Sequence, residues 1–122
     1  MLYQYETVFI INPLLSEREI KKAIKGYIDF LKKNDAKIVY ENNWGMKQLA
    51  YPIKNKHTGY YYLVEFQGDS DIVAKLELQY KRDENILRFL TNRLDKYAIE
   101  YNERKRSGKA KTFDEIKETQ GV

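Results

Sequence analysis

The sequence predicts an α+β fold, in which two helices pack on one face of a four-stranded antiparallel sheet. Three observations support this prediction: alternating apolar strand patterns, two segments with apolar residues at helical spacing, and the chain order strand, helix, strand, strand, helix, strand. A chain of 122 residues with 43% apolar content can bury one core. We expect residues 1–94 to form one domain and the charged residues 95–122 to form an extended C-terminal tail.

The first strand and first helix have clear boundaries in the sequence. Residues 2–12 predict a central strand, because apolar groups occupy both of its faces towards its end. Pro13 ends this strand, since proline has no amide hydrogen to donate to a ladder. Ser16 and Glu19 have the spacing of a capping box, and apolar residues then recur every three or four positions until Asn34.

The middle of the chain predicts a hairpin. Its first strand covers residues 37–51, and the polar and glycine residues 42–45 interrupt the alternation, which indicates a bulge. Pro52 and the polar residues 54–59 predict the loop. The returning strand covers residues 60–67, where tyrosine, valine and phenylalanine are frequent.

A second helix over residues 71–81 and a last strand over residues 86–94 complete the pattern. Two right-handed crossovers then give a ferredoxin-like split βαβ sandwich, βαββαβ. The second and fourth strands become the edges of its sheet, and one sheet face is left open for partners.

Composition and motifs favour a binding protein over an enzyme. The net charge of +4 favours a polyanionic partner, and the absence of cysteine favours the cytoplasm. No leader pattern or membrane span is expected. His57 lies in a polar segment without a partner motif, so we expect no catalytic residue, metal, cofactor or small-molecule substrate.

Two strands have some likeness to an RNA-recognition motif. Residues 59–66 resemble its octapeptide and residues 8–12 its hexapeptide, but Tyr61 and Glu65 replace a small residue and an aromatic residue. An autonomous single-stranded RNA-binding module is therefore the alternative function, with Tyr5 or Tyr60 stacking on bases. A ferredoxin-like enzyme or metabolite-binding oligomer is a third interpretation, which requires an enclosed polar pocket.

Residues 45–54, which read GMKQLAYPIK, resemble the signature of the bacterial small-subunit ribosomal protein six family. The resemblance extends over about residues 3–94. Further matching segments are Tyr5-Glu6, Val8-Phe9, Asn12-Pro13, Trp44 and residues 82–88.

The resemblance implies a structural component of the small ribosomal subunit. Together with small-subunit ribosomal protein eighteen, such a protein binds the central domain of small-subunit ribosomal RNA, mainly through RNA shape and backbone. The residues expected to contact RNA are Lys47, Lys54, Lys56, Arg88 and Arg93. The residues expected to contact the protein partner are Tyr40, Trp44, Met46, Leu49 and Tyr51.

Some positions leave alternatives open. Leu2 and Met46 stand where basic residues are common in the family, and Arg88 could instead pair with Asp83 or Glu84. The basic run at residues 104–111 could order on RNA, and a short helix could form near residues 113–119.

Overall fold

The computed structural model describes residues 2–106, and it describes side chains through residue 104. The elements are β1 (Tyr3–Ile11), α1 (Glu17–Lys33), β2 (Lys37–Ile53), β3 (Lys56–Gly68), α2 (Ser70–Arg82), β4 (Ile86–Arg93) and α3 (Lys96–Arg106). The sheet order is β2-β3-β1-β4, and every neighbouring pair is antiparallel. The ferredoxin-like fold predicted from the sequence is therefore confirmed.

The N-terminus of α1 has the predicted capping box. The backbone N–H of Glu19 donates to Ser16 Oγ at 3.2 Å, and the backbone N–H of Ser16 donates to Glu19 Oε1 at 3.1 Å. Hydrogen bonding of the Glu19 carboxylate by the backbone N–H and then the side chain of Ser16 holds the pKa of Glu19 below its ordinary value. The cap fixes where α1 begins and so aims its apolar stripe at the sheet.

Aromatic rings form the centre of the core between the sheet and the helices α1 and α2. Phe9 of β1 is fully buried, and its ring centroid lies 5.2 Å from that of Tyr27, 5.3 Å from that of Tyr80 and 5.9 Å from that of Tyr62. These rings come from β1, α1, α2 and β3, so one aromatic group links both layers of the fold.

The three tyrosines of this group bury their rings and keep their hydroxyls hydrogen-bonded. Burial raises the pKa of each phenol above its ordinary value of 10.0, and in each case a nearby carboxylate raises it further. The hydroxyl pairs are Tyr27 with Asp83 at 2.6 Å, Tyr62 with Glu41 at 2.6 Å and Tyr80 with Thr7 at 3.0 Å.

The β2–β3 hairpin is longer than predicted. Ile53 pairs with Lys56, so the turn contains only Lys54 and Asn55, whose φ angles of 49° and 65° match a type I′ turn. The predicted loop over residues 54–59 is therefore wrong, because residues 56–59 continue β3. The predicted bulge is confirmed by a register shift between Asn43 and Gly45.

Helix α3 occupies Lys96–Arg106, within the segment 95–122 that the sequence predicted to be extended, and residues 107–122 of that segment lie outside the described residues. Asp95 precedes it and accepts a hydrogen bond from the backbone N–H of Ala98 at 2.7 Å. Its half-buried stripe consists of Ala98, Ile99 and Asn102, which gives little apolar periodicity to detect.

The helix predicted near residues 113–119 lies outside the described residues. Within residues 2–106 no helix is long and apolar enough to span a membrane.

Candidate nucleic-acid and protein interface

The sheet has one face turned away from α1 and α2, which we name the open face. In β1 and β4 the opposed pairs Val8–Leu90 and Ile10–Arg88 point to this side, since Phe9 between them points into the helix-bearing core. The segment 61–65 of β3 contributes its odd-numbered residues by the same alternation. This face carries most of the side chains considered as binding groups.

A small apolar cluster covers one end of the open face. Leu49 of β2, Ile10 of β1 and Leu87 of β4 form it, and Ile53 and Tyr61 pack against it. Because β2 and β4 are opposite edges of the sheet, the hairpin must fold across the open face to make this cluster. We name residues 47–59 the hairpin end.

Gly59 permits this close approach of the hairpin end. A Cβ atom at this position would overlap Cγ2 of Ile10 and would lie 3.4 Å from Cδ2 of Leu49. Gly45 has a different role, since its φ of 77° lies in the left-handed region and no atom would crowd a Cβ there. One glycine therefore serves packing and the other serves backbone geometry.

Two cations at this end of the sheet lie over aromatic rings. Nζ of Lys47 is 5.3 Å from the ring centroid of Trp44, and Cζ of Arg88 is 5.6 Å from the ring centroid of Tyr51. Trp44 in turn stacks on Tyr61 at 6.1 Å between centroids. These contacts restrict the two side chains, of which Arg88 is exposed and Lys47 is half-buried.

The turn of the hairpin adds two further lysines. Lys54 is exposed in the turn, and Lys56 is half-buried at the start of β3. With Lys47 and Arg88 they border the hairpin end, and we name these four residues the hairpin-end cations. Lysine and arginine side chains in such a group can hold the phosphates of a nucleic acid.

Arg93 lies elsewhere. It is opposite Tyr5 in the β1–β4 register and so projects to the helix-bearing side, at the end of the sheet far from the hairpin turn. Its Cζ is 3.7 Å from the ring centroid of Tyr3. The structure does not bring this predicted RNA-binding residue to the hairpin-end cations.

The predicted protein-binding residues of β2 differ in accessibility. Tyr51 is 54% exposed and Met46 is 50% exposed, whereas Leu49 is 8% exposed within the apolar cluster. Tyr40 and Trp44 are half-buried on the open face. Leu49 therefore packs beneath the exposed surface of β2 and does not form part of that surface.

A buried carboxylate on the open face was missed by the sequence interpretation. Glu65 of β3 is fully buried, although its strand position points away from α1 and α2. Gln4 Nε2 donates to its Oε2, and Asn102 Nδ2 of α3 donates to its Oε1 at 3.1 Å. Because Asn102 is 37 residues further along the chain, no local sequence pattern could have revealed this contact.

Two features of the described residues bear on the enzyme interpretation, namely His57 and a cleft between the helices. His57 is exposed in β3, and within residues 2–106 no cluster of histidine, aspartate and glutamate could hold a metal ion. A cleft of about 590 Å³ lies between α1 and α2. Two of its polar groups, Tyr27 and Asp83, hydrogen-bond to each other at 2.6 Å, and the raised pKa of Tyr27 keeps this phenol neutral. Its other polar lining residues are Gln79, Arg82, Glu84 and Asn85.

Comparison with known proteins agrees with the interpretation of the fold and of the GMKQLAYPIK segment. A family model described as ribosomal protein S6 matches residues 4–93. Small ribosomal subunit protein bS6 of Porphyromonas gingivalis is 54% identical over 114 residues, which cover 93% of this chain and 97% of that protein. The bS6 protein of Bacteroides thetaiotaomicron is 50% identical over 107 residues, which cover 88% of this chain and 94% of that protein. The crystal structure of 30S ribosomal protein S6 from Thermotoga maritima has a TM-score of 0.77 at 29% identity and covers 86% of this chain and 97% of that chain. This chain belongs to the ribosomal protein S6 family.

Proposed function

We propose that this cytoplasmic protein of the small ribosomal subunit binds the central domain of small-subunit ribosomal RNA together with small-subunit ribosomal protein eighteen. Its role in this proposal is structural and involves no catalytic step. The observation that supports it most is the placement of Lys47, Lys54, Lys56 and Arg88 around one end of the open face.

The RNA-binding part of the proposal follows from how these cations are held. Trp44 lies under the Lys47 ammonium and Tyr51 lies under the Arg88 guanidinium, so both charged groups lose less freedom when they bind phosphate. Neither ring is fully exposed to bases, since Trp44 already stacks on Tyr61. The proposed contacts are therefore to the RNA backbone, and binding should weaken strongly with salt.

The protein-binding part of the proposal uses β2 and its side chains. The outer edge of β2 pairs with no other strand among residues 2–106, so its backbone groups face outward. Met46 and Tyr51 add exposed apolar area beside this edge, and Tyr40 and Trp44 add the open-face side. A partner that covers this edge would bury apolar and backbone polar groups together.

The two tyrosines on which the alternative of an autonomous RNA reader depended pack into the core. Tyr5 is 5% exposed and faces the helices, and Tyr60 packs against the same core. A base could not stack on either ring without opening that core. No specific observation favours this alternative, so it serves as an outcome of the binding experiment.

The test is titration of the central-domain RNA fragment across a salt series, with and without small-subunit ribosomal protein eighteen. We expect tight binding that requires the partner and weakens linearly in log affinity against log salt. Lys54→Gln should reduce the slope by about one. Lys21→Gln removes an exposed lysine from α1 and should leave the slope unchanged.

Two results would contradict the proposal. Equal binding to unstructured RNA without the partner would support the autonomous reader. Equal salt slopes for the Lys54→Gln and Lys21→Gln variants would remove the hairpin end from the RNA interface.

A further inference from the structure

Helix α3 is attached to the open face at the end opposite the hairpin end. The backbone N–H of Leu94 donates to the carbonyl of Gln4 at 2.8 Å, which fixes the chain just before the helix. Asn102, one turn before the helix ends, donates to the buried carboxylate of Glu65. One attachment just before α3 and one within it therefore hold the helix against β1 and β3.

The attachment changes the electrostatics of the open face. Without α3, the Glu65 carboxylate would lie on the sheet surface, where it would repel a polyanion. With α3 in place the carboxylate is fully buried and accepts hydrogen bonds from the amide groups of Gln4 and Asn102. Over residues 96–104, where its side chains are described, the helix carries two basic and two acidic residues, so it covers the acidic spot without adding net negative charge.

The outer side of α3 presents two tyrosines. Tyr97 is 79% exposed and Tyr101 is 51% exposed, and their spacing of four places them on one side of the helix. Lys96 lies next to the first ring in sequence, and Arg104 lies three positions after the second. Exposed aromatic rings flanked by cations are the combination that stacks on bases and holds phosphates in single-stranded nucleic acid.

We infer that α3 is a second RNA-contacting element, in which Tyr97 and Tyr101 stack on unpaired bases while Glu65 and Asn102 position the helix. This inference rests on the proposed function and extends it from the hairpin end to the opposite end of the open face. RNA is the occupant favoured here, because charged residues surround the rings and the centres of protein interfaces are depleted in charge.

The experiment measures the affinity of full-length variants for the central-domain RNA fragment in the presence of small-subunit ribosomal protein eighteen. Tyr97→Ala should weaken binding about tenfold, and Tyr97→Phe should retain binding within about twofold, because the ring supplies the stacking. The matched control is Leu14→Ala, which removes an apolar side chain that is 75% exposed before α1 and should leave the affinity unchanged.

A second variant tests the positioning role. Asn102→Ala should lower the hydrogen-exchange protection of the α3 amides and also weaken RNA binding, whereas Tyr97→Ala should leave that protection unchanged. Tighter RNA binding by Asn102→Ala would overturn the inference, because α3 would then be a cover over the RNA site.

The outcomes separate the inference from the proposed function. If the unsubstituted chain binds the fragment and Tyr97→Ala binds equally well, the inference fails and the proposed function stands. If Tyr97→Ala weakens binding to the protein partner in the absence of RNA, the occupant is protein and the inference fails. If the unsubstituted chain does not bind the fragment, the proposed function and the inference fail together.

Discussion

The two faces of the sheet are stabilised by different kinds of contact. On the helix-bearing face, rings from three other elements surround Phe9 in one continuous core. On the open face there are two separate assemblies, the apolar cluster around Leu49 at the hairpin end and the hydrogen bonds around Glu65 under α3. The first face joins whole secondary-structure layers, whereas each assembly on the second holds one segment in place.

This difference separates residues that maintain the fold from residues that maintain a surface. Loss of a ring beside Phe9 removes contacts that several elements share, so the free energy of unfolding should fall most there. Loss of Leu49 or Asn102 frees the hairpin end or α3, and both segments carry proposed RNA-binding groups. Substitutions on the open face should therefore affect binding more than their effect on stability alone would suggest.

The largest stability effect is expected for Phe9→Ala. Its ring is fully buried among Tyr27, Tyr62 and Tyr80, so its removal should lower the free energy of unfolding by about 3–5 kcal/mol, measured by urea denaturation. The matched variant Leu90→Ala, on the open face and 60% exposed, should change it by less than about 0.5 kcal/mol. Similar losses for the two variants would show that the faces do not differ in this way.

A smaller stability effect, coupled to binding, is expected for Leu49→Ala. Removal of this buried side chain should cost about 2–3 kcal/mol and should also weaken RNA binding, because the hairpin end loses its packing on Ile10 and Leu87. Leu78→Ala on α2, where the side chain is 44% exposed, should change neither quantity. Unchanged RNA affinity in the folded Leu49→Ala protein would show that the cluster does not position the hairpin-end cations.

The helix-bearing face was largely predictable because its signals are local. The spacing of Ser16 and Glu19 predicted the cap of α1, and the broken alternation before Gly45 predicted the bulge. Strand alternation placed Tyr60 and Tyr62 on one face and Tyr61 on the other, although it could not say which face meets the helices.

The open face was less predictable because long-range contacts build it. The turn at Lys54 and Asn55 contains no glycine, so its left-handed conformation was not apparent and residues 56–59 resembled a loop. Helix α3 depends in part on Asn102 reaching Glu65, which no periodic pattern encodes. Sequence alone also did not show that Arg93 lies apart from the other four predicted RNA-binding cations, because it does not give the β1–β4 register.

The tyrosines of the helix-bearing face should make the protein sensitive to alkali. Their folded-state pKa values are raised above 10.0, so the folded state binds more protons than the unfolded state above pH 10 and stability falls as the pH rises further. Each such tyrosine should contribute a loss of about 1.4 kcal/mol per pH unit in that range. Tyr80→Phe should remove one such contribution, as measured by urea denaturation from pH 9 to pH 11.

The control for this pH dependence is Tyr97→Phe, because the Tyr97 side chain is 79% exposed and lies outside the buried group of rings. Its alkaline slope should match that of the unsubstituted chain. Equal slopes for Tyr80→Phe and the unsubstituted chain would contradict the assignment of alkaline sensitivity to the buried core.

The smallest effect distinguishes the two arginines of β4. Arg88 projects to the open face over Tyr51, and Arg93 projects to the helix-bearing side over Tyr3. Arg88→Gln should reduce the salt slope of RNA binding by about one and lower the affinity a few fold, since one phosphate contact is lost. Arg93→Gln should change neither quantity if RNA approaches only the open face. An equal reduction for both variants would mean that the RNA reaches around the β4 edge to the helix-bearing side. The two faces of the sheet would then differ in their contribution to stability but not in their contribution to RNA binding.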